Sequence, residues 1–313
     1  MVFIEQPAAW LCWDFHTLFE EDANVSLAAP KTSLVVAPNV PVFDLPIHVA
    51  LEHGLFAKRG LEVTFSETYS QAGYSNPDAF KRQKESLYER RQADAYNLCE
   101  WAGLDRSERS GRGSQVQALR PAVVAQVILS FDPAIQELRD LAGVAVGINQ
   151  FTGSHYTTLQ FLDGALARED IVLSHVGEPL LRYEALKRGE LRAAALMEPY
   201  VSLALKEGAH IIGVNFYRGA EVVAPDLPAT LRNAYLEAIN EAADLINADF
   251  DRYKHYIVEP IKDRLAVHEL ARTFVRYAHS RPMDEARFAY TYEWMRGWQL
   301  TPGASEFSSL VVA

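Results

Sequence analysis

Apolar and polar positions along this chain switch between a period of two and a period near 3.6, and the switches mark its elements. TSLVVAP (residues 32–38) is β-branched and ends on proline, so it predicts a strand. LPIHVALEHGLFAKRG has apolar residues at helical spacing and closes on Gly60, a helix-ending signal. LEVTFSE alternates again. Strand, helix and strand at this spacing form a βαβ unit, which predicts a parallel sheet at the start. DAFKRQKESLYERRQ reads as a charged amphipathic helix feeding a buried strand, ADAYNLCEW, and PAVVAQVILS is a further strand.

The same parts then recur. LAGVAVGIN is a strand, FTGSHYTTLQFLDGAL a helix, IVLSHVG a strand, EPLLRYEALKRGE a helix closing on Gly189, and LRAAALMEPYVSLALKEG a strand passing into a helix. AHIIGVNF is a strand, and the remainder from about Leu227 reads as helical: TLRNAYLEAINEAADLINAD, HELARTFVRYA and EARFAYTYEWMRGW. No Gly/Ser/Pro-rich linker separates the two sets. The one loop of that type, DRSERSGRGSQ (105–115), lies inside the first unit. The expectation is therefore an extension at 1–30 with aromatic anchors (Trp10, Trp13, Phe15, Phe19), a lobe I from 31–128 plus 215–313, and a lobe II from 129–214. Short crossings near 127–133 and 213–219 would join the lobes around a cleft.

Composition narrows the function. With 313 residues, 49% apolar and 23% charged, the chain is ordinary for a globular protein and long enough for two lobes. A formal charge of -11 disfavours nucleic acid and anionic membrane as partners, yet a local pocket on an acidic protein can still be positive. No window approaches the about 18 apolar residues of a membrane helix. The start has no basic flank before its apolar part, so the chain as it stands is expected in the cytoplasm. Two cysteines, Cys12 and Cys99, give neither a disulfide framework nor a zinc spacing, and nine scattered histidines form no ligand cluster. Neither metal nor cofactor is expected.

Three stretches, in order, resemble one family. LPIHVALEHGLFAKRGLEVTF looks like its opening helix and second strand. ELRDLAGVAVGINQFTGSHYTTLQFL looks like its lobe-two entry. RYEALKRGELRAAALMEPYVSLALKEGA looks like its later helix, strand and acidic-Pro-aromatic turn, with Leu191 and Arg192 where an acid is common. The family is that of the two-lobed solute-binding proteins of the nitrate, taurine and aliphatic sulfonate type, which includes thiamine-pyrimidine precursor synthases. The resemblance covers most of 32–313. It implies an α/β, Venus-flytrap architecture of the type II periplasmic-binding-protein kind, each lobe a mixed sheet flanked by helices with a helical C-terminal region. Its hinged lobes would close on a small molecule. The cysteine-rich run of the pyrimidine synthases is absent.

In open α/β sheets, ligands sit beyond the strand ends. Thr152, Gly153, Ser154 and His155 open a helix directly after a strand, where free N–H groups favour an anion; Thr152 or Ser154 can equally just cap the helix. Glu198, Pro199 and Tyr200 end a strand at the expected rim, with Glu198 as proton acceptor, ligand contact or ion-pair partner. Asn39 and Val40 resemble the family's first ligand loop, and Phe43 and Trp101 stack on a planar ligand or fill the core. The helix start disfavours protonated His155. Cys99, beside Glu100, would face that helix across the ligand with His155 as proton partner, or else fill a gap behind the strand. Alternation along the strand sets Leu98 and Glu100 on one side, Cys99 and Trp101 on the other.

A cleft Cys–His pair suits non-redox cleavage of a C–C or C–S bond, decarboxylase- or desulfinase-like, and this reading is narrowly favoured. The alternatives are the substrate-binding component of an importer for sulfonate, nitrate or pyrimidine-like solutes, with a permease as partner, and a cytoplasmic ligand sensor. A homodimer is compatible with each.

Overall fold

The computed structural model describes residues 32–70, 72–301 and 303–312. The expected extension at 1–30, with Cys12 and its aromatic anchors, lies outside the described residues. Strand β1 (Ser33–Val36) pairs in parallel with β2 (Glu62–Phe65), and helix α1 (Pro41–Glu52) connects them, as the βαβ pattern predicts. Gly60, with φ of 70°, closes the turn before β2, a conformation that glycine adopts without a Cβ penalty. Helix α2 (Gln83–Glu89) leads to β3 (Ala95–Cys99), which lies on the other side of β1.

Helix α3 (Glu100–Arg109) then leads into a long strand, β4 (Gln115–Ser130). The second set of parts follows: β5 (Ala145–Ile148), α4 (Gly153–Asp163), β6 (Val172–His175), α5 (Pro179–Lys187), β7 (Ala193–Leu196), α6 (Tyr200–Lys206) and a second long strand, β8 (His210–Val223). Helix α7 (Ala229–Ala248), a short β9 (Val275–Tyr277) and a helix at Glu285–Gly297 come after it.

The strands form one mixed sheet in the order β2-β1-β3-β8-β4-β7-β5-β6, with β9 beside β4. β4 and β8 run antiparallel from Gln115 opposite Val223 to Ser130 opposite His210, with a register shift between Leu119 and Val123. At one end β8 pairs with β3, Ala95 opposite Val223; at the other, β4 pairs with β7, Val127 opposite Leu196. The chain therefore passes between the halves of this two-lobed α/β fold along two extended strands. Apolar side chains pack into one large cluster that spans both halves and one small one. Ile128, Ile135, Leu141, Val146, Leu162, Ala193 and Ile212 form a small cluster around β5, and a larger cluster holds β1 to β3, α1 and α7. In α7 the buried residues Leu231, Tyr235, Ala238, Ala242 and Ile246 recur every three or four positions, the stripe of a helix packed on one face.

Three expectations fail, each for a tertiary reason. The loop expected at 105–115 begins as helix, because Asp105 and Arg106 pair with one another inside the protein instead of facing water. Since α3 starts at Glu100, strand alternation does not govern Glu100 and Trp101. HELARTFVRYA is not a helix: its end is β9, whose Val275, Arg276 and Tyr277 pair with Val124, Val123 and Ala122 of β4, a partner that local periodicity does not reveal.

Candidate functional site

A small cavity opens where the C-terminal ends of β1, β3 and β5 converge. From the first loop come Asn39, Val40 and Phe43; from β3 and α3 come Leu98, Cys99 and Ala102; from the opposite lobe come Phe151, Thr152, Gly153 and Ser154. These are the stretches that the sequence singled out, and the fold brings them together. Tyr217 of β8 lies so close that a Cβ on Gly153 would stand 2.5 Å from its hydroxyl, so a side chain at this helix start would have to displace the tyrosine.

Cations line the cavity: Arg82, Lys84, Arg120 and Arg182, with Glu85 and Glu178 as the lining carboxylates. All four cations are buried. Arg106, behind them, pairs with Glu85 at 3.5 Å and with Asp105. None of the four lining cations forms an ion pair among the described residues, and Arg82 Nη1, Arg120 Nη2 and Arg182 Nε have no hydrogen-bond partner. Buried polar groups are normally satisfied, and an unpaired buried charge is costly. Two buried acceptors of cavity-lining residues, Gln126 Oε1 and Asn149 Oδ1, are also unpartnered.

The remaining bonds hold these groups in place. Arg120 donates to Asn97 Oδ1 at 3.1 Å and lies over the Phe43 ring, its Cζ 3.8 Å from the centroid. Asn97 donates in turn to Asp44 at 2.7 Å, so a carboxylate orients Arg120 through an amide rather than neutralising it directly. Burial raises Asp44 to about 6. Gly219, opposite Cys99 in the β3–β8 pair, leaves room for this arginine: a Cβ there would stand 2.1 Å from Leu98 O and 2.3 Å from Arg120 Cζ.

Across the cleft, Arg82 donates to Gln150 O at 2.6 Å and Arg106 to Phe151 O at 2.9 Å. Asn149 donates to Tyr74 O at 3.1 Å, and Tyr69 to Glu178 at 2.9 Å. Phe151, pinned by Arg106, sits at φ of 57°, a left-handed conformation that costs a non-glycine residue on the order of 1–3 kcal/mol. These bonds close the two lobes upon each other. Thr152 occupies the N-cap of α4 but caps no helix amide; its hydroxyl donates to Asn149 O at 2.7 Å. Ser154 Oγ accepts from Asn149 N at 2.9 Å and from Arg182.

The other singled-out residues stand elsewhere. Glu100 turns away from the cavity to a two-oxygen pairing with Arg287 Nε, at 2.9 and 3.0 Å, and a bond from Thr291 at 2.7 Å. Trp101 packs against Tyr156 and Trp294. Both line a separate hollow with Arg218, Arg281 and Arg287. His155 is buried beside Phe151 and Tyr156 and is not among the cavity-lining residues; its Nδ1 accepts the Phe151 N–H at 3.1 Å. Burial, more than neighbouring Arg82, pushes it down to about 4, so it is neutral. Glu198 is buried behind the rim, where its oxygens accept from the Ser202 hydroxyl at 2.8 Å and amide at 3.1 Å, and burial raises it to about 7. Tyr200 packs beside Tyr183. Met197, not Glu198, reaches the cavity.

Cys99 does line the cavity. Burial pushes its thiol up to about 11 against the weaker pull of Arg106, Arg120 and Lys84, so it stays protonated at neutral pH. The arrangement is suited to holding a small anion against several positive donors, with a neutral thiol and an amine alongside. Among the described residues no group of His, Cys, Asp and Glu is arranged to hold a metal, and no helix is long and apolar enough to cross a membrane.

No protein-family model matches the sequence, and no curated protein matches it either. Solved structures do. The alkanesulfonate-binding protein SsuA from Xanthomonas axonopodis pv. citri, bound to MOPS, aligns with a TM-score of 0.71 at 16% identity, over 91% of this chain and 98% of that one. The desulfurization enzyme DszB aligns at 0.61 and 15% identity, over 90% and 96%. The Candida albicans CA3427 product, described as having the generic periplasmic binding protein structural fold, aligns at 0.65 and 11% identity, over 88% and 92%. At these identities the likeness is one of architecture, and the architecture is that of the periplasmic binding proteins.

Proposed function

We propose that this protein is a solute-binding protein whose lobes close on a small organic anion of the sulfonate or carboxylate class, for delivery to a membrane permease. The observation that carries the reading is the set of four buried, unpaired cations around one cavity, in a protein whose net charge is -11. A ligand oxyanion supplies what the protein leaves out: acceptors for the free N–H groups of Arg82, Arg120 and Arg182. The alkanesulfonate-binding neighbour supports this reading ahead of bond cleavage. Cleavage retains one specific support, the presence of Cys99 in the cavity beside the likeness to a desulfurization enzyme; a thiol at about 11 would act there as a proton donor.

Calorimetric titration with ethanesulfonate, acetate and the neutral dimethyl sulfone tests the proposal. Both anions are expected to bind and the sulfone not. Arg182→Met removes one charged hydrogen bond, worth about 1.5–3 kcal/mol, and is expected to weaken ethanesulfonate roughly 10- to 150-fold. Equal affinity for sulfone and sulfonate, or an unchanged affinity in a folded Arg182→Met protein, refutes the reading.

A further inference from the structure

We propose that Lys84 is a nucleophilic amine that captures the carbonyl carbon of a bound 2-oxo acid as an imine. The inference rests on the anion-binding reading and adds a covalent step to it. Lys84 opens into the cavity from the first turn of α2. Its side chain is buried, yet among the described residues its nitrogen has neither a hydrogen bond nor an ion pair; its recorded neighbour is the face of Tyr74, 5.2 Å from the ring centroid. A lysine used to hold structure is paired or reaches water. This one has no partner, and it lines the same cavity as three guanidinium groups.

Burial first, and the Arg120 charge after it, bring its ammonium down from an ordinary 10.5 to about 8, against the opposing pull of Glu85. Roughly 300-fold more free amine is then present at pH 7 than on an exposed lysine. The neighbouring arginines supply the site for a carboxylate, and in a 2-oxo acid the carbonyl is one bond away. Attack by Nζ forms the C–N bond and a carbinolamine; loss of the former carbonyl oxygen as water breaks the C–O bond and leaves C=N. No oxidant or reductant enters. Glu178, on the same cavity and raised to about 7 by burial, is placed to give the proton that departs with the hydroxyl.

The experiment treats the whole protein with pyruvate and cyanoborohydride at pH 7 and maps the reduced adduct by peptide mass. Labelling of Lys84 is expected at least about tenfold faster than that of Lys58 and Lys81, whose side chains are 62% and 72% exposed. Excess ethanesulfonate should slow it, and acetone, which lacks the carboxylate, should label Lys84 more slowly than pyruvate does. An unmodified Lys84, or labelling of Lys58 and Lys81 at the same rate, overturns the inference. If ethanesulfonate binds by calorimetry but no adduct forms, the imine alone falls; if ethanesulfonate does not bind, the anion reading falls by itself.

Discussion

Removing the amine of Lys84 should stabilise the empty protein while weakening its hold on anions. A lysine whose pKa falls from 10.5 to about 8 on folding carries a penalty of about 3 kcal/mol at neutral pH, at roughly 1.4 kcal/mol per pH unit. The sign follows from proton counts. Between 8 and 10.5 the unfolded chain holds the proton and the folded protein does not, so stability rises with pH across that window and is lowest, and flat, below it. Lys84→Met has no such group, has a similar helix propensity, and breaks no recorded hydrogen bond. At pH 7 without anions, urea unfolding should therefore find Lys84→Met about 1–3 kcal/mol more stable than wild type, a gap that closes as pH approaches 10.5. Calorimetry on the same variant should show weaker ethanesulfonate binding. A Lys84→Met protein less stable than wild type at pH 7, or a gap that persists undiminished at pH 10, refutes the account of Lys84 as a strained, functional cation.

Other consequences are as direct. Cys99 should react with iodoacetamide at pH 7.5 about a hundredfold more slowly than a free thiol, because its thiolate is suppressed by about two pH units; labelling at the free-thiol rate would contradict the buried, protonated state. Gly219→Ala forces a Cβ against Leu98 O and Arg120, and should lower stability by about 1–3 kcal/mol in denaturant titration; a neutral effect would mean that β3 and β8 are not so closely paired. Glu100→Gln leaves Arg287 without its carboxylate and should destabilise the fold by about 1–3 kcal/mol, with ethanesulfonate affinity unchanged within about twofold. A large loss of affinity there would place Glu100 in the binding site after all.

Much of the architecture was legible along the chain. The βαβ unit at 32–67, the glycine stops at Gly60 and Gly189 and the second α/β set from 141 follow from apolar spacing, since a helix or strand that buries one face must show its period in sequence. The same logic brought Asn39, Phe43, Cys99 and Thr152 to Ser154 forward, because residues after strand ends in such sheets share one crevice, and all six line the cavity. Local pattern could not assign Glu100 and Trp101, where β3 passes directly into α3, or β9, whose strand character comes from its partner β4.

The cations were the larger omission. In KRQKESLYERRQ the charges of Arg82 and Lys84 read as a solvated helix face, Arg182 as one more polar residue of α5, and Arg120 as an interruption before Pro121 in an apolar run. The one available signal was the charge of Arg120 at the head of an apolar run. What sequence determined by itself is the order and period of the elements, which depend on near neighbours along the chain. Which charges lose their water and face one another depends on how β4 and β8 carry two distant halves together, and only the tertiary structure decides that.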